Sequence, residues 1–113
     1  MQRLRDTSEI TEGREDKPAK VNLFQTPRFF ADVYVLRPGQ AQKAHRHAGE
    51  DKCYHVLSGR GVVVSGAETF RAGPGGIVFC PAGEDHSVRN EGPEDLRLLV
   101  FMAPHPERAS MGA

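Results

Sequence analysis

From residue 21 onward the chain breaks into short runs of five to nine residues in which apolar positions mostly alternate with polar ones. A period of two is what a β-strand produces, because successive side chains point to opposite faces. The runs are VNLFQ (21–25), FFADVYVLR (29–37), QAQKAHRH (40–47), KCYHVLS (52–58), RGVVVS (60–65), AETFRA (67–72), GIVFC (76–80), HSVRNE (86–91) and LRLLVFMA (96–103). Between them stand turn signals: Pro38-Gly39, Ser58-Gly59, Ser65-Gly66, AGPGG at 72–76, PAG at 81–83 and EGPE at 91–94. In 29–37 both parities are apolar, with Phe29, Ala31, Val33 and Val35 on one and Phe30, Tyr34 and Leu36 on the other. That strand is expected to be covered on both faces. No segment sustains a helical period beyond about two turns. The pattern predicts an all-β fold of eight or nine short strands, a double-stranded β-helix (jelly-roll) or related small barrel.

Residues 1–20 differ, being charged and poor in large apolar groups. They read as a polar N-terminal arm, either loose or ordered only by packing on a partner subunit. Residues 21–113 then form a single domain, in keeping with a length of 113 residues. Fifteen basic and fifteen acidic residues cancel, and no basic block stands out. This speaks against nucleic acid or an anionic membrane surface as the main partner. No apolar run approaches the roughly 20 residues of a membrane span. The first twenty residues hold no apolar central region of the kind a secretory signal has. A cytoplasmic protein is expected, with Cys53 and Cys80, which form no CxxC pair, reduced and acting as small hydrophobes.

The chemistry concentrates in two places. His45 and His47, one residue apart in HRH, point to the same side if the strand reading holds, and two inward imidazoles already offer two ligands to a borderline metal ion. His86 lies downstream in GGIVFCPAGEDHSVRN, again among glycine and proline turns. Tyr54 and Val56 share strand parity with Lys52 and are expected to line the pocket, where a tyrosine hydroxyl needs a partner. His55, of the opposite parity, is expected on the outer or subunit-facing side. His105, in PHPE, is expected to be solvated. A glycine-rich phosphate loop, a GxSxG elbow and a convincing Cys–His pair are all missing from the chain.

Two stretches resemble the signature motifs of the cupin superfamily. The first runs Gly39, five residues, His45, one residue, His47 and later Gly59; the second runs Gly75, five residues, Pro81, one, Gly83, two, His86, three, Asn90. The resemblance implies a small jelly-roll barrel holding a divalent metal, with His45, His47 and His86 as ligands. Zinc, iron, manganese or nickel would suit such a set. Pro81 and Gly83 would make the turn that delivers His86, and Asn90 would brace a loop. The family commonly carries a glutamate seven residues before the closing glycine, and here that position is Lys52. Asp51 becomes the candidate fourth ligand, with Glu50 beside it; the alternative is a site of three histidines with the remaining positions open to water. Lys52 is expected to snorkel to the barrel mouth or to pair with one of these acids. The competing reading gives it an anionic ligand to bind or a proton to take.

The family includes dioxygenases, isomerases, decarboxylases and epimerases, so fold does not decide the reaction. The expected function is binding or transforming a small oxygen-bearing molecule beside the metal; the alternative is a barrel that binds a small molecule or metal without turnover. A regulator half is disfavoured by the lack of a DNA-binding helix pair. Small cupins also resemble obligate dimers, and a homodimer is expected through the outer sheet or the N-terminal region.

Overall fold

The computed structural model describes residues 2–112, and nine strands run through them. They are β1 (Ala19–Thr26), β2 (Phe29–Leu36), β3 (Ala41–His45), β4 (Asp51–Ser58), β5 (Gly61–Ser65), β6 (Glu68–Ala72), β7 (Ile77–Cys80), β8 (His86–Arg89) and β9 (Leu96–Ala103). Short 3-10 turns sit at Thr7–Glu9 and Arg108–Met111. The strands form a five-stranded sheet in the order β1-β2-β9-β4-β7 and a four-stranded sheet in the order β3-β8-β5-β6. All pairings are antiparallel. This is the expected double-stranded β-helix, with the two sheets facing each other and not closed into one hydrogen-bonded ring.

Alternation explains the core. Tyr54 and Val56 of β4 face inward beside Leu98 and Val100 of β9, and Tyr34 and Leu36 of β2 meet Val63 and Val88 from the opposite sheet. Each such side chain removed from water contributes about 1.5–3 kcal/mol. Val33 and Val35, of the other parity, are also fully buried, under Ile10, Leu23 and Leu57.

That second cover corrects the expectation for residues 1–20. The arm lies on its own sheet. Arg97 on β9 donates from Nε to the Ile10 carbonyl at 2.9 Å and from Nη2 to the Thr7 carbonyl. Arg5 reaches the Leu23 carbonyl at 3.2 Å. Ile10 joins Leu23 and Leu57 over the valines, while the guanidinium groups take up backbone carbonyls that packing removes from water. The arm is polar in composition yet serves as a lid on an apolar face, and β1 already begins within it at Ala19.

The ladder between β3 and β8 sets the functional geometry. At one end the Gly39 N–H donates to the Asn90 carbonyl and the Asn90 N–H to the Gln40 carbonyl, each at 2.9 Å. At the other end the Gly83 N–H donates to the His47 carbonyl at 2.8 Å. Between them His45 is paired directly opposite His86. Gly83 has a φ of 84°, a left-handed conformation that glycine adopts without steric cost, and this lets the PAG turn fold back onto His47. At Gly59, φ is 78° and a Cβ would strike the Asp95 carbonyl. The side chain of Asn90 is buried and braces the loop after β8, donating to the Leu36 and Glu94 carbonyls at 2.8 Å and accepting from the Gly92 N–H at 2.9 Å.

Candidate metal centre

His45 closes β3, and its Nδ1 lies 2.9 Å from the Lys43 carbonyl. That contact places the proton on Nδ1 and leaves the Nε2 lone pair free. His86 opens β8 and is buried. Its Nε2 stands 3.1 Å from His45 Nε2, while its Nδ1 is buried without a hydrogen-bond partner. His47 lies beyond the end of β3, not on the strand as alternation predicts, because the chain leaves the sheet after His45. Its ring still meets the other two, with centroids 4.9 Å from His45 and 5.8 Å from His86. One nitrogen from each of the three falls within 4.8 Å of the others.

The acids sit elsewhere. Asp51, the fourth-ligand candidate, is exposed at the start of β4 and accepts from the Ala82 N–H at 2.9 Å. It braces the PAG turn and lies outside the group of donor atoms. Glu50 lies beside His47, with Oε1 3.6 Å from Nδ1, and its Oε2 accepts from Arg108 Nη1 at 3.0 Å.

Lys52 departs from the expectation of snorkelling or ion pairing. It is only 2% exposed, because the parity of β4 turns it inward with Tyr54 and Val56 while Asp51 points out. Its Nζ lies 3.4 Å from Gln42 Oε1, 4.9 Å from the Tyr54 ring centroid and 5.5 Å from that of Tyr34. Burial, and then the like charge of Lys20, push its pKa down from 10.5 to about 8. Tyr54 donates its hydroxyl to the same Gln42 oxygen at 2.5 Å. Burial raises the phenols of Tyr34 and Tyr54 well above the usual range, so both remain protonated donors. Val56 belongs to the apolar core beyond them.

Gln42 is the inward-facing residue that strand parity hides. With His45 inward, strict alternation turns residue 42 outward. The register slips between Gln42 and His45, where β3 carries one more residue than β8, and this bulge turns both side chains inward. His105 also departs from expectation. It is buried edge-on to Phe30, with Nε2 3.1 Å from Gln25 Oε1 and Nδ1 accepting from the Glu107 N–H.

Burial, and then the positive field of Lys52, hold His86 neutral and lower its pKa to about 4. Burial lowers that of His45 as well. His45 and His86 therefore present unprotonated imidazoles at neutral pH, the form in which histidine binds metals.

Residues 32–102, which hold both histidine motifs, match the cupin domain family. The chain is a cupin. It is similar to the TT1209 protein of Thermus thermophilus, at 43% identity and a TM-score of 0.88, over 91% of this chain and 98% of that one. It is 33% identical over 84 residues to an oxalate-binding protein of Thermotoga maritima, covering 74% of this cupin and 69% of the relative. It is also 29% identical over 76 residues to a 5-nitrosalicylic acid 1,2-dioxygenase of a Bradyrhizobium species, covering 67% of this chain and 36% of that enzyme. No helix among the described residues is long and apolar enough to cross a membrane.

Proposed function

We propose that this cupin holds a divalent metal ion through His45, His47 and His86 and binds a small oxygen-bearing molecule beside it. The approach of two Nε2 atoms to 3.1 Å carries the reading. Metal–nitrogen bonds of about 2.1 Å at octahedral or tetrahedral angles set neighbouring donors roughly 3.0–3.4 Å apart. Three imidazoles form a donor set suited to zinc, iron, manganese or nickel.

Such an ion, when bound, supplies a Lewis acid that polarises a ligand oxygen, and iron or manganese adds redox chemistry. The chain's own residues do the positioning. The Lys43 carbonyl fixes the tautomer of His45, and Glu50 buttresses His47. Tyr54 and Gln42 place hydrogen-bonding groups on the inner surface beside His86. Elemental analysis of protein purified without chelators tests the reading, with near-stoichiometric metal expected in the wild type and little in His45→Ala or His86→Ala. Full metal in both variants overturns it.

We also propose a homodimer. Ile77 and Phe79 are 57% and 56% exposed, and with Phe29 and Phe101 they give the outer face of the five-stranded sheet a contiguous apolar surface. Light scattering at micromolar concentration is expected to give twice the monomer mass. The free thiols of Cys53 and Cys80 are in keeping with a reducing, cytoplasmic setting.

A further inference from the structure

We infer that Lys52 and Tyr54, with Gln42 as their gate, form an anion subsite that takes a carboxylate group of the small ligand, reached through a basic groove between β1 and β3. The inference deepens the metal reading by naming the ligand class, and it rests on that reading only for the far end of the ligand.

The first observation is an ammonium without a counter-ion. Lys52 Nζ carries three donors, and its hydrogen bonding among the described residues is one long contact of 3.4 Å to Gln42 Oε1. Its side chain enters no ion pair among those residues. Asp32 is the carboxylate it feels, but Asn22 holds that group at 2.8 Å, and the push from Lys20 outweighs its pull. A buried charge is retained at considerable cost unless something pairs with it.

The second observation is the charge of the site as a whole. Its donor group contains three imidazoles and no carboxylate. A divalent ion on those imidazoles, beside Lys52, makes a region in which positive charge exceeds negative, since the neighbouring Glu50 carboxylate is itself paired with Arg108. A ligand carboxylate supplies the missing negative charge.

Geometry gives the place. The Gln42 amide oxygen accepts from both Tyr54 and Lys52, so it occupies the point where two donors converge. A carboxylate oxygen at that point gains a charge-assisted hydrogen bond from Lys52 and a second from Tyr54, each stronger than its neutral counterpart. Tyr54 in turn lies edge-on to His86 at a centroid distance of 6.2 Å, which sets the subsite next to the imidazoles.

Access completes the picture. A groove of about 700 Å³ runs between the β1 and β3 edges, and Gln42 lines it. Its charged walls are Arg14, Lys17, Lys20 and Lys43 against Glu12. Lys20 Nζ lies 5.0 Å from the centroid of the Tyr34 ring that Lys52 also approaches, so positive charge continues from groove to interior. Such a lined cleft concentrates small anions at its mouth.

Titration calorimetry with acetate, malonate and benzoate, their neutral amides and inorganic phosphate tests the inference, on protein as purified and after chelation. The expected result is carboxylate binding at least tenfold tighter than that of the matching amide. Lys52→Met is expected to lose at least tenfold in that binding with metal content unchanged. The exposed pair Lys20→Gln and Lys43→Gln together should weaken it two- to fivefold at low salt and not at high salt, and this comparison decides the matter if Lys52→Met does not fold. Lys52-dependent binding that survives in protein without metal upholds the subsite even where the metal reading fails. Equal binding by wild type and Lys52→Met, amides binding as well as acids, phosphate binding tightest, or a wild type that binds none of the three acids would overturn it.

Discussion

His45 and His86, 41 positions apart in the chain, present their Nε2 atoms to each other at 3.1 Å across the β3–β8 ladder. Asp51, in contrast, spends its carboxylate on the Ala82 N–H. The two relationships predict opposite phenotypes. His45→Ala and His86→Ala should each reduce bound metal to a tenth or less. Asp51→Ala should keep its metal and lose about 1 kcal/mol of stability, the worth of one hydrogen bond, read from urea unfolding. Metal loss in Asp51→Ala would show that the shell has a fourth protein ligand.

Glu50 acts through His47. Its carboxylate, held by Arg108, lies 3.6 Å from His47 Nδ1. Glu50→Gln should weaken metal affinity by roughly 10–100-fold in a chelator competition, with the fold intact by circular dichroism. Arg108→Gln should move affinity the same way by less. Unchanged affinity in Glu50→Gln would show that the acid serves only the C-terminal turn.

Lys52 should be a stability liability. Its folded pKa of about 8 lies below the 10.5 of a free lysine, so the unfolded chain binds that proton more tightly. Stability therefore rises as pH climbs from about 8 to 10.5, and below pH 8 the buried ammonium costs on the order of 3 kcal/mol. Lys52→Met should be more stable than wild type at pH 7 and should lack that rise. A less stable Lys52→Met at neutral pH would mean that the ammonium is already compensated within the fold. Lys52→Glu, which restores the acid common in cupins, should bind metal more tightly and carboxylates less.

Protonation of His86 runs in the opposite pH range. Its pKa of about 4 in the fold lies below the ordinary 6.5, so on acidification the unfolded chain takes up its proton first. Metal-free protein should hold its full stability above about pH 6.5 and lose it progressively toward pH 4. Urea midpoints at pH 7 and pH 5 check this. His86→Leu should flatten the difference, and an unchanged slope in that variant would place the titration elsewhere.

Much of this was legible in the chain because it depends on short-range rules. Period-two alternation marked the nine strands to within two residues at most ends, and glycines in the motifs marked turns that need a left-handed backbone, as at Gly83. Alternation also gave Lys52, Tyr54 and Val56 one face. It did not give depth. Whether a lysine on an inward face reaches the mouth or stays beneath it depends on what the other sheet places above it, and here that is Gln42.

The sequence by itself determined the class of fold and the strand set and offered His45, His47 and His86 as candidates, since each follows from short motifs in the chain. The tertiary structure decided the rest through contacts between distant segments. The extra residue in β3 shows itself only against β8, and it turns Gln42 inward. The polar arm becomes a cover only where Arg97 and the Val33–Val35 face meet it. His105 is buried only because Phe30 and Gln25 arrive from the other end of the chain. Local pattern fixes which way a side chain points; the free energy of burial, and hence what a charge such as Lys52 does there, is set by partners that the pattern does not contain.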